Sequence, residues 1–328
     1  MLLLVTRPPG MTAVESDGPV VVTGGAGAIG SVLVRSLLDR GRTVHVLDNL
    51  SSGRTDHLPS HPALRVTIAD LREPETYAWV FQGASAVWHI AANPDIRLGT
   101  EDPKLDLHLG TLATFQVLEA ARRHDVKRVL FSSSSVVYGL PTVFPTPESY
   151  GPLLPQSQYG AAKLASEGLI SAYAHSYGLR GYIFRFANII GPNISHGVLV
   201  DFFHKLNLDP TRLEVLGDGR QAKSYLRTED CVAGMLTAAD LANDPVNLFN
   251  LGTRDRISVR EIAEKVVAAW GGKARIDYTG GERGWVGDIP QQLLAIDRIT
   301  TLGWKPQYTS AEAVDLTIRE LSARWSHP

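Results

Sequence analysis

Cysteine is almost missing from this chain: Cys231 is the single one in 328 residues. One thiol closes no internal disulfide, and the usage suits a reducing, cytoplasmic setting. Standing alone, Cys231 reads as a small buried hydrophobe rather than a reactive group. An excess of charge is missing too. Lys and Arg number 32 against 34 Asp and Glu, a net charge of −2, and no basic run occurs. Nothing there recommends nucleic acid or an anionic membrane surface as a partner. Long apolar runs are absent as well. The opening Met-Leu-Leu-Leu-Val has no basic flank and is far too short for a signal core or a membrane span. Residues 1–17, which carry Arg7-Pro8-Pro9-Gly10, read as a disordered leader; Met11 is an alternative start. Repeats and low-complexity tracts are lacking, and no metal site is expected. What remains is 44% apolar and 20% charged, enough for one large domain or two unequal ones.

What the chain does have is glycine in a telling place. Val20–Thr23 is an apolar run that enters a turn carrying Gly24, Gly27 and Gly30. An amphipathic segment to Leu38 follows, then a second apolar run ending at Asp48. Strand, glycine turn, helix, strand and acid form the order of a dinucleotide-binding βαβ unit. One glycine permits the tight turn, one lets backbone approach a pyrophosphate, and one lets helix pack on strand. The pyrophosphate would sit on free N–H groups at the helix N-terminus, beside Ala28 and Ile29. Asp48, 18 residues beyond Gly30, is placed to accept from a ribose hydroxyl, with Asn49 beside it. A carboxylate there repels a 2′-phosphate, so the expected cofactor is NAD rather than its phosphorylated form.

From residue 19 onward, apolar runs alternate with helical stretches. Strands are expected at Val20–Thr23, Val44–Leu47, Leu64–Ile68, Ala86–Ile90, Arg128–Ser132 and Gly181–Phe186, with helices at Ser31–Arg40, Leu109–His124 and Tyr159–Tyr177. Continuous apolar strands between helices predict an α/β fold: a Rossmann-type, doubly wound parallel sheet covered on both faces. Leu140–Gln158 reads as a surface loop. After Gly191 the rhythm breaks, with a helix at Val198–Leu208 and a short strand from Leu213. Ser224–Leu226 and the helix Thr228–Leu241 look like a return to the main sheet. The expected division is a cofactor domain of residues 18–187, rejoined by 224–256. Residues 188–223 and 257–328 would form a smaller C-terminal α/β cap that binds substrate. A ligand would lie between cap and sheet, at the carboxyl ends of the strands.

Tyr159 and Lys163 are four apart on a predicted helix and share a face. A lysine ammonium stabilises a phenolate. To act as a base near pH 7 the phenol must fall about three units, or ~4 kcal/mol of differential stabilisation. Taken alone, the pair equally suits an ordinary amphipathic helix. Upstream, Ser132-Ser133-Ser134-Ser135-Val136-Val137-Tyr138-Gly139 ends a predicted strand.

With these segments the chain resembles the extended branch of the short-chain dehydrogenase/reductase superfamily. Within it, the chain is similar to the nucleoside-diphosphate-sugar epimerases and dehydratases, above all to UDP-glucose (UDP-galactose) 4-epimerases. The shared runs are Thr23-Gly-Gly-Ala-Gly-Ala-Ile-Gly30, the serine run ending in Val-Tyr-Gly, and Tyr159-Gly-Ala-Ala-Lys163, over roughly residues 19 to 305. The resemblance implies Ser134, Tyr159 and Lys163 as catalytic residues, the latter two also touching NAD. It implies Asp70-Leu71 at the adenine, and His89-Ile90-Ala91-Ala92 on the strand beneath the cofactor. It places Asn188, Lys223 (where the family usually has arginine), Arg283 and Asp288 around a sugar-nucleotide diphosphate and ribose, and His196 at the sugar. Arg283, with a planar fork that fits phosphate, is the expected clamp.

The implied reaction is 4-epimerisation. Tyr159 takes the proton of the sugar 4-hydroxyl, Ser134 hydrogen-bonds the same oxygen, and the 4-keto sugar turns over before hydride returns. Dehydratases of the family carry Asp-Glu where this chain has Ser135-Val136, and sugar-acid decarboxylases carry Glu at the Val136 position, so both are disfavoured. A dehydratase, a ketoreductase, or an epimerase of an unusual sugar on ADP, GDP or dTDP are the alternatives. Gly110 stands where the family usually has Asn, with His108 as a substitute contact or a plain surface residue. A nucleotide sugar is the expected ligand. The resemblance also implies a homodimer through the helices bearing Leu112, Phe115 and Leu118, and Leu164, Leu169 and Tyr173.

Overall fold

A computed structural model describes residues 18–325; the expected leader lies outside them. Along the chain come β1 (Val20–Thr23), α1 (Ala28–Asp39), β2 (Val44–Asp48), β3 (Leu64–Ile68), β4 (Ala86–His89), α2 (Leu98–Glu101) and α3 (Pro103–Asp106). A π-helical turn at Leu107–Leu112 leads into α4 (Ala113–Arg123), β5 (Arg128–Ser134), α5 (Gln158–Tyr177) and β6 (Arg180–Phe186). Then follow β7 (Asn188–Ile190), α6 (Val198–Leu208), β8 (Arg212–Val215), β9 (Ala222–Lys223), β10 (Tyr225–Arg227), α7 (Thr228–Leu241) and β11 (Val246–Leu251). The chain closes with β12 (Ile257–Ser258), α8 (Val259–Ala269), β13 (Arg275–Tyr278), β14 (Gln291–Gln292), α9 (Asp297–Thr301) and α10 (Ser310–Trp325).

The central sheet has seven strands in the order β11-β6-β5-β4-β1-β2-β3, every pair parallel. The order reverses between β1 and β4, so the loops after these two strands diverge and open a crevice at their carboxyl ends. Alternation along β1 shows how the sheet is buried on both sides. Val20 and Val22 join the apolar layer beneath α1 and α7. Val21 joins the opposite layer, with Phe81, Val117, Leu118 and Ile170. This is the doubly wound Rossmann-type architecture that continuous valine-rich strands demand.

A third apolar cluster lies apart from the sheet, built from Leu199, Phe202 and Phe203 of α6, Ile262 and Val266 of α8, and Val314 and Ile318 of α10. Short strands line it: β7 pairs with β10, β8 with β13, and β9 lies between β12 and β14. The return to the main sheet differs from the sequence expectation. Tyr225–Arg227 pairs with Asn188–Ile190 in a separate two-stranded sheet, and it is Val246–Leu251 that rejoins β6. The latter run, Val-Asn-Leu-Phe-Asn-Leu, hides its strand character behind two asparagines. Both are buried and bonded: Asn247 Nδ2 donates to Gly181 O, and Asn250 Oδ1 accepts from Tyr138 Oη at 2.7 Å.

Candidate active site

The glycine turn after β1 has the geometry its spacing implies. Gly24 adopts φ +67°, and a Cβ on it would come within 2.7 Å of Ala91 N; a Cβ on Gly30 would come within 2.0 Å of Gly24 O. Only glycine lets β1, α1 and the loop after β4 approach so closely. Gly27 is the N-cap of α1 and supplies no side-chain cap, which leaves helix N–H groups for an anion. Asp48, at the end of β2, accepts from Ala26 N at 2.9 Å and from Leu50 N at 2.8 Å. These bonds fix its carboxylate at the rim of the crevice. Asp70 is held at about 2 by its hydrogen bonds from Arg72, partly offset by burial.

A cavity along the crevice is lined by Gly24, Gly27, Ala28, Ile29, Gly30, Asp48, Asn49, Asp70, Leu71, Ala91, Ala92, Tyr159 and Lys163. All the residues expected to hold the dinucleotide therefore face one space. The donor set fits the group: bare glycine backbone and a helix N-terminus for the pyrophosphate, and a carboxylate for ribose hydroxyls.

Helix α5 carries Tyr159 and Lys163. Ser157 caps it, its side chain accepting from Gly160 N at 3.1 Å, and Gly178 at φ +69° ends it. Tyr159 and Lys163 lie in its first two turns. Lys163 is 3% exposed, donates to Ser132 O at 2.5 Å, and sits 5.6 Å from the centre of the Tyr159 ring. Burial pushes the Lys163 ammonium down to about 7, against the pull of Asp106 and Glu167. Burial and the negative charge of Asp106 push the Tyr159 phenol up. That is opposite to what a base needs; positive charge added beside the phenol would lower it.

Strand β5 runs two residues further than its apolar pattern suggests, because Ser133 and Ser134 remain in register with Arg185 and Phe186 of β6. Ser134 then caps a 3₁₀ turn, accepting from Val136 N at 3.4 Å. Ser134 and Tyr159 also line a second cavity, between the sheet and the cap cluster. Asn188, His196, Lys223 and Asp288 line it too; Tyr159 and His196 border both cavities.

Arg283 is not brought to this cleft. It is exposed, and its neighbours Gly284, Trp285, Gly287 and Asp288 form the lining instead. Two cations line the cleft: Lys223, whose Nζ meets Asp288 Oδ1 at 2.6 Å, and Arg97, paired with Asp95 at 3.1 Å. His108 is exposed and lines neither cavity. Gly110 lies in the π-helical turn, where a Cβ would come within 2.8 Å of Ala162 Cβ; glycine is what lets this turn seat on α5.

Sequence reasoning missed the groups behind the site. Ser133 Oγ donates to Glu167, which forms a buried ion pair of 2.6 Å with Arg185. Glu167 is one turn past Lys163 on the same face, which was the available signal. His89 is locked between Thr23 and Thr114 at 2.8 and 3.0 Å and pushed down to about 3 by burial and the Lys163 charge, so it stays neutral. Among the described residues no cluster could hold a metal, and no helix is long and apolar enough to cross a membrane.

Comparison with known proteins agrees with this geometry. Residues 20–252 match the NAD dependent epimerase/dehydratase family. The UDP-glucose 4-epimerase of Mycolicibacterium smegmatis is 31% identical, over 91% of this chain and 96% of its own. A crystal structure of a UDP-galactose 4-epimerase superposes with a TM-score of 0.85 at 40% identity, covering 93% of this chain and 99% of the other. The Thermus thermophilus UDP-glucose 4-epimerase, solved in complex with NAD, gives 0.81 at 29%, covering 92% and 98%. The chain belongs to the NAD-dependent epimerase/dehydratase family, with NAD as its cofactor.

Proposed function

We propose that the protein is a nucleotide-sugar 4-epimerase of the UDP-glucose/UDP-galactose type. The observation that carries this reading is that Tyr159 borders both the dinucleotide cavity and the cap-side cleft, with Ser134 in the cleft and Lys163 behind Tyr159. When bound there, NAD supplies a reversible hydride acceptor. Tyr159 takes the proton of the sugar 4-hydroxyl and returns it after the 4-keto sugar has turned over. Ser134 hydrogen-bonds the same oxygen, and Lys163 keeps positive charge against the phenolate.

Lys223 is the cation for the diphosphate, released from Asp288 as phosphate oxygens arrive, while Asn188 and His196 contact the sugar nucleotide. Lys223→Ala is expected to raise KM for the nucleotide sugar at least tenfold, whereas Arg283→Ala leaves it within about twofold; a charge-assisted hydrogen bond contributes roughly 1.5–3 kcal/mol. Steady-state kinetics on both variants decide it, and the reverse ranking would restore Arg283 as the clamp.

Elimination or decarboxylation needs a further acid–base group. The two positions after Ser134 are Ser135, whose Oγ accepts from Gln292 Nε2 at 3.0 Å, and apolar Val136. Neither takes a proton from carbon 5, which favours epimerisation. For assembly we propose a homodimer through α4 and α5. Leu112 and Phe115 are exposed there, while Leu118 and Tyr173 are spent inside the chain. Light scattering should report twice the chain mass of 35.7 kDa.

A further inference from the structure

Helix α5 grips two successive residues of β5. Lys163 Nζ donates to Ser132 O at 2.5 Å, and Ser133 Oγ donates to Glu167 Oε1 at 2.5 Å. Lys163 and Glu167 are one helical turn apart, so both meet the strand from the same face. Ser133 and Glu167 are buried. Both oxygens of the Glu167 carboxylate are engaged: Arg185 Nε donates to Oε1 at 3.0 Å and Nη2 to Oε2 at 2.6 Å. Arg185 is the β6 residue that pairs with Ser133 in the sheet. One helix and two neighbouring strands therefore meet at a single carboxylate.

Arg185 carries the contact past Ser134. Its guanidinium lies over the Tyr138 ring, 4.7 Å from the centre, and its Nη1 donates to Glu148 O at 3.3 Å. Tyr138 closes the 3₁₀ turn that Ser134 caps. Ser134 is thus bracketed: the residue before it is held by Glu167, and the turn after it by the arginine that Glu167 holds. The Ser134 hydroxyl has a weak tether of its own, the 3.4 Å bond from Val136 N. Glu167 lines neither cavity, whereas Ser133 lines both.

We infer that Glu167 is a positioning residue, which through Ser133 and Arg185 sets the end of β5 against α5 and so the placement of the Ser134 hydroxyl relative to Tyr159. A buried ion pair regains in attraction little more than its desolvation costs; its use here is to fix one arrangement. Two hydroxyls that share one reacting oxygen need such fixing, since a misplacement of about 1 Å costs on the order of 10²-fold in rate. This rests on Ser134 and Tyr159 sharing the sugar oxygen in the proposed reaction.

The first test needs no sugar. Backbone hydrogen exchange of the NAD-loaded protein is read by mass spectrometry in Glu167→Gln and in Ser133→Ala. The second variant keeps the ion pair and covers the case that the first does not fold. Amides of residues 134–138 should exchange roughly tenfold faster, with the rest of the sheet unchanged, the lower end expected for losing a hydrogen bond to a charged group. Ser133→Thr, which keeps the hydroxyl, should restore protection. In turnover of UDP-galactose, Ser133→Ala should lower kcat roughly tenfold with KM within about twofold. That loss should vanish in a Ser134→Ala background, because Ser133 acts through Ser134; a merely structural role gives the same loss in both backgrounds. Unchanged exchange at 134–138, or a kcat loss that is independent of Ser134, overturns the inference. Full activity in Tyr159→Phe would instead contradict the reading beneath it, and the exchange result alone then decides whether Glu167 fixes the strand end.

Discussion

Tyr159 and Lys163 begin from unfavourable positions, and that shapes what each contributes. The phenol is pushed up by burial and Asp106, and the ammonium is pushed down to about 7. The working state, phenolate beside ammonium, is therefore a minor one until ligand charge enters. Tyr159→Phe should cost roughly 10²–10⁴-fold in turnover while bound NAD is retained, read by kinetics and by cofactor content after denaturation. Lys163 gives a separate signature in stability. Its folded pKa lies below its unfolded one, so between about pH 7 and about 10.4 the unfolded chain binds the extra proton. Stability relative to Lys163→Met should then rise with pH across that window, by up to about 1.4 kcal/mol per unit. Urea melts of the ligand-free proteins at several pH values check the sign; a flat difference would mean that Lys163 is not desolvated.

At the level of the element, the turns were the legible part and the packing behind them was not. Gly24, Gly27 and Gly30 announce a close approach because glycine is the residue such contacts require. The strand at Val246–Leu251 was not legible. Its asparagines look like loop residues until Tyr138 and Gly181 are seen to bond them. Arg283 was placed by its neighbours in sequence, and it is those neighbours, Gly284, Trp285, Gly287 and Asp288, that line the cleft while Arg283 is exposed. Gly110 was noted as a departure, and its reason lies across the interface with Ala162. Gly110→Ala should destabilise by about 1–3 kcal/mol through overpacking against α5, measurable by denaturant unfolding. An unchanged midpoint would show that the π-helical turn shifts freely.

Across the whole molecule, the sheet presents a dinucleotide at the reversal point between β1 and β4, and the cap cluster builds the facing wall from α6, β9 and the Gly284–Asp288 segment. Tyr159 borders both cavities, so in the proposed reaction one side chain would serve both ligands. Such an arrangement suits a cofactor that stays bound while the sugar turns in the cleft. The most direct test of that account follows UDP-galactose and UDP-glucose by proton NMR in deuterated water, using purified protein with no added NAD. Interconversion of the two sugars without deuterium at carbon 5 is the expected result. Accumulation of a keto or unsaturated sugar, or turnover only when NAD is added in stoichiometric amounts, would contradict it.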